Sequence, residues 1–327
     1  MDFPFIDGRT RQAPAGPLQL PVPDRGQQTD PSGYLVDPQL VDAINVALLL
    51  SQPLLLTGEP GTGKTQLAHR LAWELGYGEA IVFNTKSNSS ARDLFYTFDT
   101  MGRFHAAQTR EGSAANIDYL HYNALGLAIL QSNPREGVAA ALPADMLHTG
   151  PRRSVVLIDE IDKAPRDFPN DLLHEVDAMA FRIPEIGNLE LRAERSMRPV
   201  LVLTSNSERN LPDAFLRRCV FYNIPFPDRT RLADIIQTRL PALKDGASPL
   251  LDSALDFFLE LRQMGLRKPP STAELINWLH SLVRSGAAPD KPLKAAGDAL
   301  LKSASTLAKT QDDAAELATR LKTYLGR

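Results

Sequence analysis

A short apolar run, Leu54-Leu55-Leu56-Thr57, leads into Gly58-Glu59-Pro60-Gly61-Thr62-Gly63-Lys64-Thr65, and a helical pattern follows from Gln66 to Leu75. A GxxxxGKT loop between a strand and a helix is the setting a phosphate-binding loop requires. Glycines let the backbone turn tightly enough to aim several N–H groups at a β-phosphate. The start of the next helix adds its positive dipole end. Lys64 is expected to reach the β- and γ-phosphates, and Thr65 to ligate Mg2+ through its hydroxyl. The loop therefore predicts a nucleoside triphosphate site made by Gly58, Glu59, Pro60, Gly61, Thr62, Gly63, Lys64, Thr65 and Gln66.

From Pro53 onward strand and helix patterns alternate, which predicts a mostly parallel sheet covered by helices on both faces. The expected strands are Leu54–Thr57, Ala80–Asn84, Ser154–Asp159, Val200–Ser205 and Cys219–Ile224. Each is a continuous apolar run, as strands buried on both sides require. About 70 residues separate the second strand from the third, far beyond ordinary loop length. That stretch is aromatic-rich (Phe95, Tyr96, Phe98, Phe104, Tyr119, Tyr122), and Leu120 to Gln131 reads as helix. Before the core, Asp37 to Leu50 is a helix with Val41, Ile44, Ala47 and Leu48 at helical spacing. After Pro227 only helices are expected: Thr230–Leu240, Ser253–Met264, Ser271–Ser285 and Pro292–Leu325, the last broken near Thr310. The predicted fold is thus an α/β P-loop NTPase core followed by a smaller all-helical lid domain. The divisions are a Pro-rich extended arm over 1–33, the nucleotide-binding core over 34–225 with a long insert at about 85–150, and the lid over 226–327.

A net charge of −3 offers no general attraction to nucleic acid. The single cysteine, Cys219, excludes an internal disulfide and suits a reducing compartment. No apolar run approaches the ~20 residues that span a bilayer, and the N-terminus lacks the basic start and apolar core of a signal peptide. A cytoplasmic protein is expected.

A second chemical signal lies at Val155-Val156-Leu157-Ile158-Asp159-Glu160. A buried strand delivers two adjacent carboxylates to its C-terminal end, where ligands sit in open α/β sheets. Asp159 is expected to hold Mg2+ through its water shell, and Glu160 to polarise an attacking water as general base. Asn206, ending the strand from Val200, either orients that water or serves as a turn residue. A short helix from Pro212 places Arg217 and Arg218 at its end, as charges compensating the helix C-terminus or as a finger toward a neighbour's nucleotide. Six histidines and one cysteine form no metal-ligand spacing, and His174 lacks a second histidine four residues away.

GEPGTGKT, VVLIDEID, TSN and LPDAFLRRC, in this order and spacing, resemble the AAA+ ATPases, and the MoxR branch in particular, over roughly residues 34–285. The resemblance implies a self-assembled ring, usually a hexamer, with ATP and Mg2+ at subunit interfaces. Asn206 matches sensor 1, and Arg218 matches the arginine finger better than Arg217 does. It also implies an insertion at Arg92 to Phe104 facing the pore and a hairpin from Phe181 to Arg198. The sensor 2 arginine of many members is replaced by Ala273, with Arg267 or Lys268 as candidate substitutes. The implied activity is that of a chaperone-like remodeller of a partner protein, such as one bearing a von Willebrand factor A domain. Two alternatives stand beside it. One is a nucleic-acid-dependent motor using Arg192, Arg195 and Arg198, against which Glu190, Glu194 and the overall charge argue. The other is a nucleotide-gated scaffold with little turnover.

Overall fold

A computed structural model of the chain describes residues 16–17, 20, 30–109, 115–206, 211–244 and 248–326. Most of the arm expected over 1–33 lies outside the described residues. The chain divides into two compact units, one of residues 34–226 and the other of 1–33 with 227–327. The first holds helices α1 (Pro38–Leu50) and α2 (Lys64–Glu74) around strands β1 (Leu54–Gly58) and β2 (Ile81–Asn84). Next come β3 (Tyr96–Phe98), α3 (Thr100–Thr109), β4 (Leu120–Tyr122), α4 (Ala124–Gln131) and β5 (Val155–Asp159). It closes with α5 (Phe168–Asp171), α6 (Leu173–Ala178), β6 (Ala180–Ile183), β7 (Leu189–Arg192), β8 (Val200–Thr204), α7 (Asp213–Leu216) and β9 (Val220–Ile224).

The main sheet has five strands in the order β2-β5-β8-β1-β9, every pair parallel. All five are the strands expected from the sequence. Their continuous apolar character has a direct cause: successive side chains enter opposite cores. Val155 and Leu157 of β5 pack with Leu54, Leu56 and Val202 against α1 and α2. Val156 and Ile158 pack with Leu55, Leu201 and Leu203 toward α4 and the insert. Full burial of each such side chain stabilises the fold by about 1.5–3 kcal/mol. The polar ends of the strands are thereby fixed along one edge of the sheet.

The insert departs from expectation at its second half. Helix was expected from Leu120, but Leu120–Tyr122 forms β4, antiparallel to β3 with Tyr96 opposite Tyr122. The helix starts at Ala124 instead. Cross-strand pairing outweighs helical propensity here, because Asn123 is tied twice to the segment that leads into the other strand: its N–H bonds Phe95 O at 2.9 Å and its Nδ2 donates to Asp93 O at 2.6 Å. Gly126 permits that approach, since a Cβ there would sit 1.9 Å from the Phe95 carbonyl oxygen. The second hairpin is β6 with β7, shorter than expected: Arg195–Met197 is a 3-10 turn and Arg198 lies outside the strands. Phe181 of this hairpin stacks on Phe95 at 4.8 Å between ring centroids, so the insert and hairpin share one core.

The second unit is helical: α8 (Arg229–Arg239), α9 (Pro249–Gln263), α10 (Thr272–Arg284), α11 (Asp298–Lys302) and α12 (Gln311–Leu325). Capping marks the starts, with Asp228, Ser248, Ser271 and Thr310 each accepting a backbone N–H of the first turn. Trp278 is fully buried and donates from Nε1 to Ser303 Oγ at 3.1 Å. The expected Pro292–Leu325 helix is interrupted more than once. Gly297 at φ 52° stops the first turn, and Thr310 starts α12 as foreseen. Among the described residues no helix is long and apolar enough to cross a membrane.

Candidate nucleotide site

Because β5, β8 and β1 are adjacent and parallel, their C-terminal ends bring three polar segments to one edge of the sheet. The loop after β1 takes positive φ at Gly58 (141°), Gly61 (77°) and Gly63 (92°). A Cβ at Gly58 would lie 2.6 Å from Ile224 O, and one at Gly63 would lie 2.9 Å from a ring carbon of Tyr34. Neither position admits a side chain, so the loop backbone lies bare. Thr62 secures its tip by donating from Oγ1 to Glu59 O at 2.8 Å. Lys64 is buried at the helix start and donates from Nζ to Gly58 O at 2.8 Å and Glu59 O at 3.0 Å. Burial draws its pKa below the ordinary lysine value, against the opposing pull of Asp162, Asp159, Glu160 and Glu59.

Thr65 and Asp159, far apart in sequence, meet directly: Thr65 Oγ1 donates at 3.0 and 3.1 Å to the two carboxylate oxygens. Thr204, wholly buried at the end of β8, donates to Asp159 Oδ1 at 2.5 Å. The same hydroxyl accepts the Glu160 N–H at 2.8 Å. Glu160 itself holds a left-handed backbone, φ 55° and ψ 51°, a conformation that side-chain-bearing residues adopt only where surroundings enforce it. Its carboxylate pairs with Lys163, and Asn206 Nδ2 approaches Glu160 Oε1 at 3.4 Å. Asn206 is further fixed by its N–H to Asp162 Oδ1 at 3.2 Å.

The structure thus brings Lys64, Thr65, Asp159, Glu160 and Asn206 together. Arg217 and Arg218 stand apart at the end of α7. Arg218 pairs with Asp177 at 2.9 Å and donates to Ala214 O at 2.9 Å. The Arg217 side chain is exposed and makes no ion pair or hydrogen bond among the described residues. Of the basic residues considered for nucleic acid, Arg192 pairs with Glu190 at 3.0 Å, and half-buried Arg198 donates to Val176 O and Asp177 O at 3.2 Å each. In the helical unit Arg267 pairs with Asp312 at 3.1 Å, and Lys268 is exposed.

Thr204 and Lys163 were not singled out from sequence. A hydroxyl closing an apolar strand beside Asn206 was the available sign of the first. Lys163 carried none, since a lysine three residues after a glutamate is commonplace. Asn223 was missed as well; it accepts from Thr57 Oγ1 at 3.0 Å and lines a cavity of about 770 Å3 with Gly58, Pro60 and Asn206.

Several observations test whether a nucleotide with Mg2+ suits these residues. Glycines keep the loop free of bulky side chains, a buried cation lies under it, and a cavity of small-molecule size adjoins its first residues, Thr57 to Pro60, and Asn206. Gln66 Oε1 and Thr85 Oγ1, at the start of α2 and just beyond β2, are buried without partners among the described residues. Among the described residues no cluster of three or more His, Cys, Asp or Glu forms a metal cage. One hydroxyl and one carboxylate is instead the sparse set that suits Mg2+ held chiefly by phosphates and water. The residues fit both groups.

A sequence profile for the AAA domain, dynein-related subfamily, matches residues 53–219, just over half of the 327 residues. The chain belongs to the AAA family. The matched span begins one residue before β1 and ends one residue before β9, so it contains the loop, both carboxylates, Asn206 and the two arginines that follow α7. AAA domains are nucleotide-hydrolysing ATPase domains as a class. No curated protein matches the chain. Two solved structures of RuvB from Thermotoga maritima are similar, one of a variant and one described as a Holliday junction branch migration motor. They are 18% and 17% identical to this AAA chain, with TM-scores of 0.44 and 0.43. The matches cover 82% and 87% of this chain, and 66% and 69% of theirs, so it spans just under two thirds of the first.

Proposed function

We propose that this protein is a MoxR-type AAA+ ATPase that works as a ring, a hexamer, and remodels a partner protein at the expense of ATP. The carrying observation is the chain of contacts Thr65–Asp159–Thr204–Glu160, with Asn206 beside it, at the edge reached by the glycine loop. The residues from Gly58 to Gln66 would hold the phosphates, with Thr65 and Asp159 on the Mg2+ side. Bound there, Mg2+ supplies charge neutralisation at the phosphates. Lys64 gives up the carbonyls of Gly58 and Glu59 and turns its ammonium outward. Glu160 is the general base, accepting a proton from water at its carboxylate, which requires release from Lys163. Asn206 holds that water in line. Arg218 acts on a neighbouring subunit's site, an arrangement supported by its exposed position at the end of α7 and worth about 10³–10⁵ in rate.

A protein client, reached through a von Willebrand factor A domain partner in the manner of the MoxR branch, suits the surface better than nucleic acid does. Arg192 and Arg198 are already engaged by acceptors of their own chain. The cytoplasm is the compartment this reading assigns. Glu160→Gln tests the central role. It should bind ATP with wild-type affinity and hydrolyse it about 10²–10⁴-fold more slowly, as followed by phosphate release; turnover at the wild-type rate would overturn Glu160 as base.

A further inference from the structure

The opposite edge of the main sheet carries a second cavity, of about 140 Å3, under the starts of β1 and β8, where Pro53 and Val200 line it. Arg153, from the segment entering β5, and Arg198, from the segment entering β8, also line it. Each guanidinium is only partly used. Arg153 donates from Nη2 to Ser196 O at 2.6 Å, and Arg198 from Nη2 to the carbonyls of Val176 and Asp177. The Nε–H of both is shielded from solvent and has no acceptor among the described residues. A buried N–H without an acceptor forfeits about 1–3 kcal/mol, more when it belongs to a charged group.

Among the described residues no acidic one lines this cavity; its other polar side chains are Ser51, Gln52 and Tyr77, which can donate as well as accept. The nearby carboxylate, Asp177, is engaged by Arg218 at 2.9 Å. Burial lowers the Arg198 pKa while Asp177 opposes that shift. Two arginines and three further polar side chains therefore line a space that has no carboxylate among its described lining residues. A water molecule would satisfy one N–H but would bring no negative charge to Arg153, which has no carboxylate partner among the described residues, or to Arg198, whose charge Asp177 offsets only in part. Guanidinium groups match oxyanions geometrically, through forked donors.

We propose that this cavity binds a small free oxyanion of the phosphate or carboxylate type, seated between Arg153 and Arg198. The site is separate from the nucleotide loop, which lies at the other ends of the same strands. It adjoins the C-terminal end of α6, whose Asp177 tethers Arg218.

Equilibrium dialysis of radiolabelled inorganic phosphate tests this on the full chain, at constant ionic strength in chloride. The nucleotide loop is first filled with a non-hydrolysable ATP analogue and Mg2+. One saturable phosphate per chain is expected, and Arg153→Gln or Arg198→Gln should weaken it at least tenfold while analogue binding persists. Repeating the titration on the Lys64→Ala protein without analogue should give the same single site, so the result stands apart from the nucleotide reading. Competition by acetate at matched potency identifies a carboxylate-type site, and competition by sulfate alone a tetrahedral one. Should Arg198→Gln fail to fold, Arg153→Gln, whose fork holds a single backbone carbonyl, carries the comparison. Absence of saturable phosphate in the filled protein, or binding that survives both substitutions, overturns the proposal.

Discussion

Thr204 acts at the residue scale as the joint between the two carboxylates. Its one hydroxyl donates to Asp159 and accepts from the Glu160 N–H, and no solvent reaches it. Thr204→Val keeps the shape and removes both bonds, leaving a buried N–H unpaired and the left-handed Glu160 backbone less constrained. We expect unfolding stability to fall by about 1–3 kcal/mol in urea titrations. Turnover should fall as well, with ATP affinity retained because the glycine loop is untouched, and Thr204→Ser should restore both. Unchanged turnover in the valine variant would exclude Thr204 from the machinery. The loop, Asp159 and Glu160 were legible because their chemistry demands fixed residue types at fixed spacing. Thr204 was not, since its importance arises from strand order: only with β8 beside β5 does its hydroxyl meet residues some 45 positions away.

At the scale of elements, local signals succeeded where one side chain decides and failed where a distant segment does. Thr310 was readable as a break because it caps α12 by itself, whereas the β4 strand at Leu120 depends on β3 and on the closeness to Phe95 that Gly126 allows. Asp313, in the first turn of α12, shows what such an element end can hold. Its buried carboxylate accepts the N–H groups of Arg267 at 2.9 Å and Lys268 at 3.2 Å, fixing the loop before α10. Burial pushes its pKa up, but the hydrogen bonds from Thr310, Arg267 and Lys268 outweigh that and leave it below the ordinary aspartate value. A depressed folded-state pKa gives stability that is fully present above the unfolded value of ~3.9 and is lost as pH falls through the folded one. Wild type should therefore exceed Asp313→Asn in Tm at neutral pH. The gap should narrow only once the pH drops below about 4. A gap independent of pH down to ~2 would mean that the carboxylate's charge contributes nothing.

For the whole molecule, the contents of the nucleotide site raise a question of completeness. Glu160, Asn206 and Lys64 gather within one chain, yet the two arginines stand at the end of α7, and Arg218 is committed to Asp177. An exposed ion pair of this kind is worth at most about 1 kcal/mol, so a neighbour's phosphate competes with it easily. If the site is finished by another copy, activity per chain must rise with protein concentration, in step with the mass measured by light scattering. Arg218→Ala should then bind ATP without hydrolysing it, and Lys64→Ala should neither bind nor hydrolyse. Mixing the two restores part of the activity, because an interface then exists with an intact Lys64 on one side and an intact Arg218 on the other. Arg217→Ala serves as the neighbouring control and should retain turnover. Mixed subunits that stay inactive while assembling normally would place Arg218 outside the neighbour's site. Turnover independent of concentration in a monomer would remove the ring itself and leave a self-sufficient hydrolase.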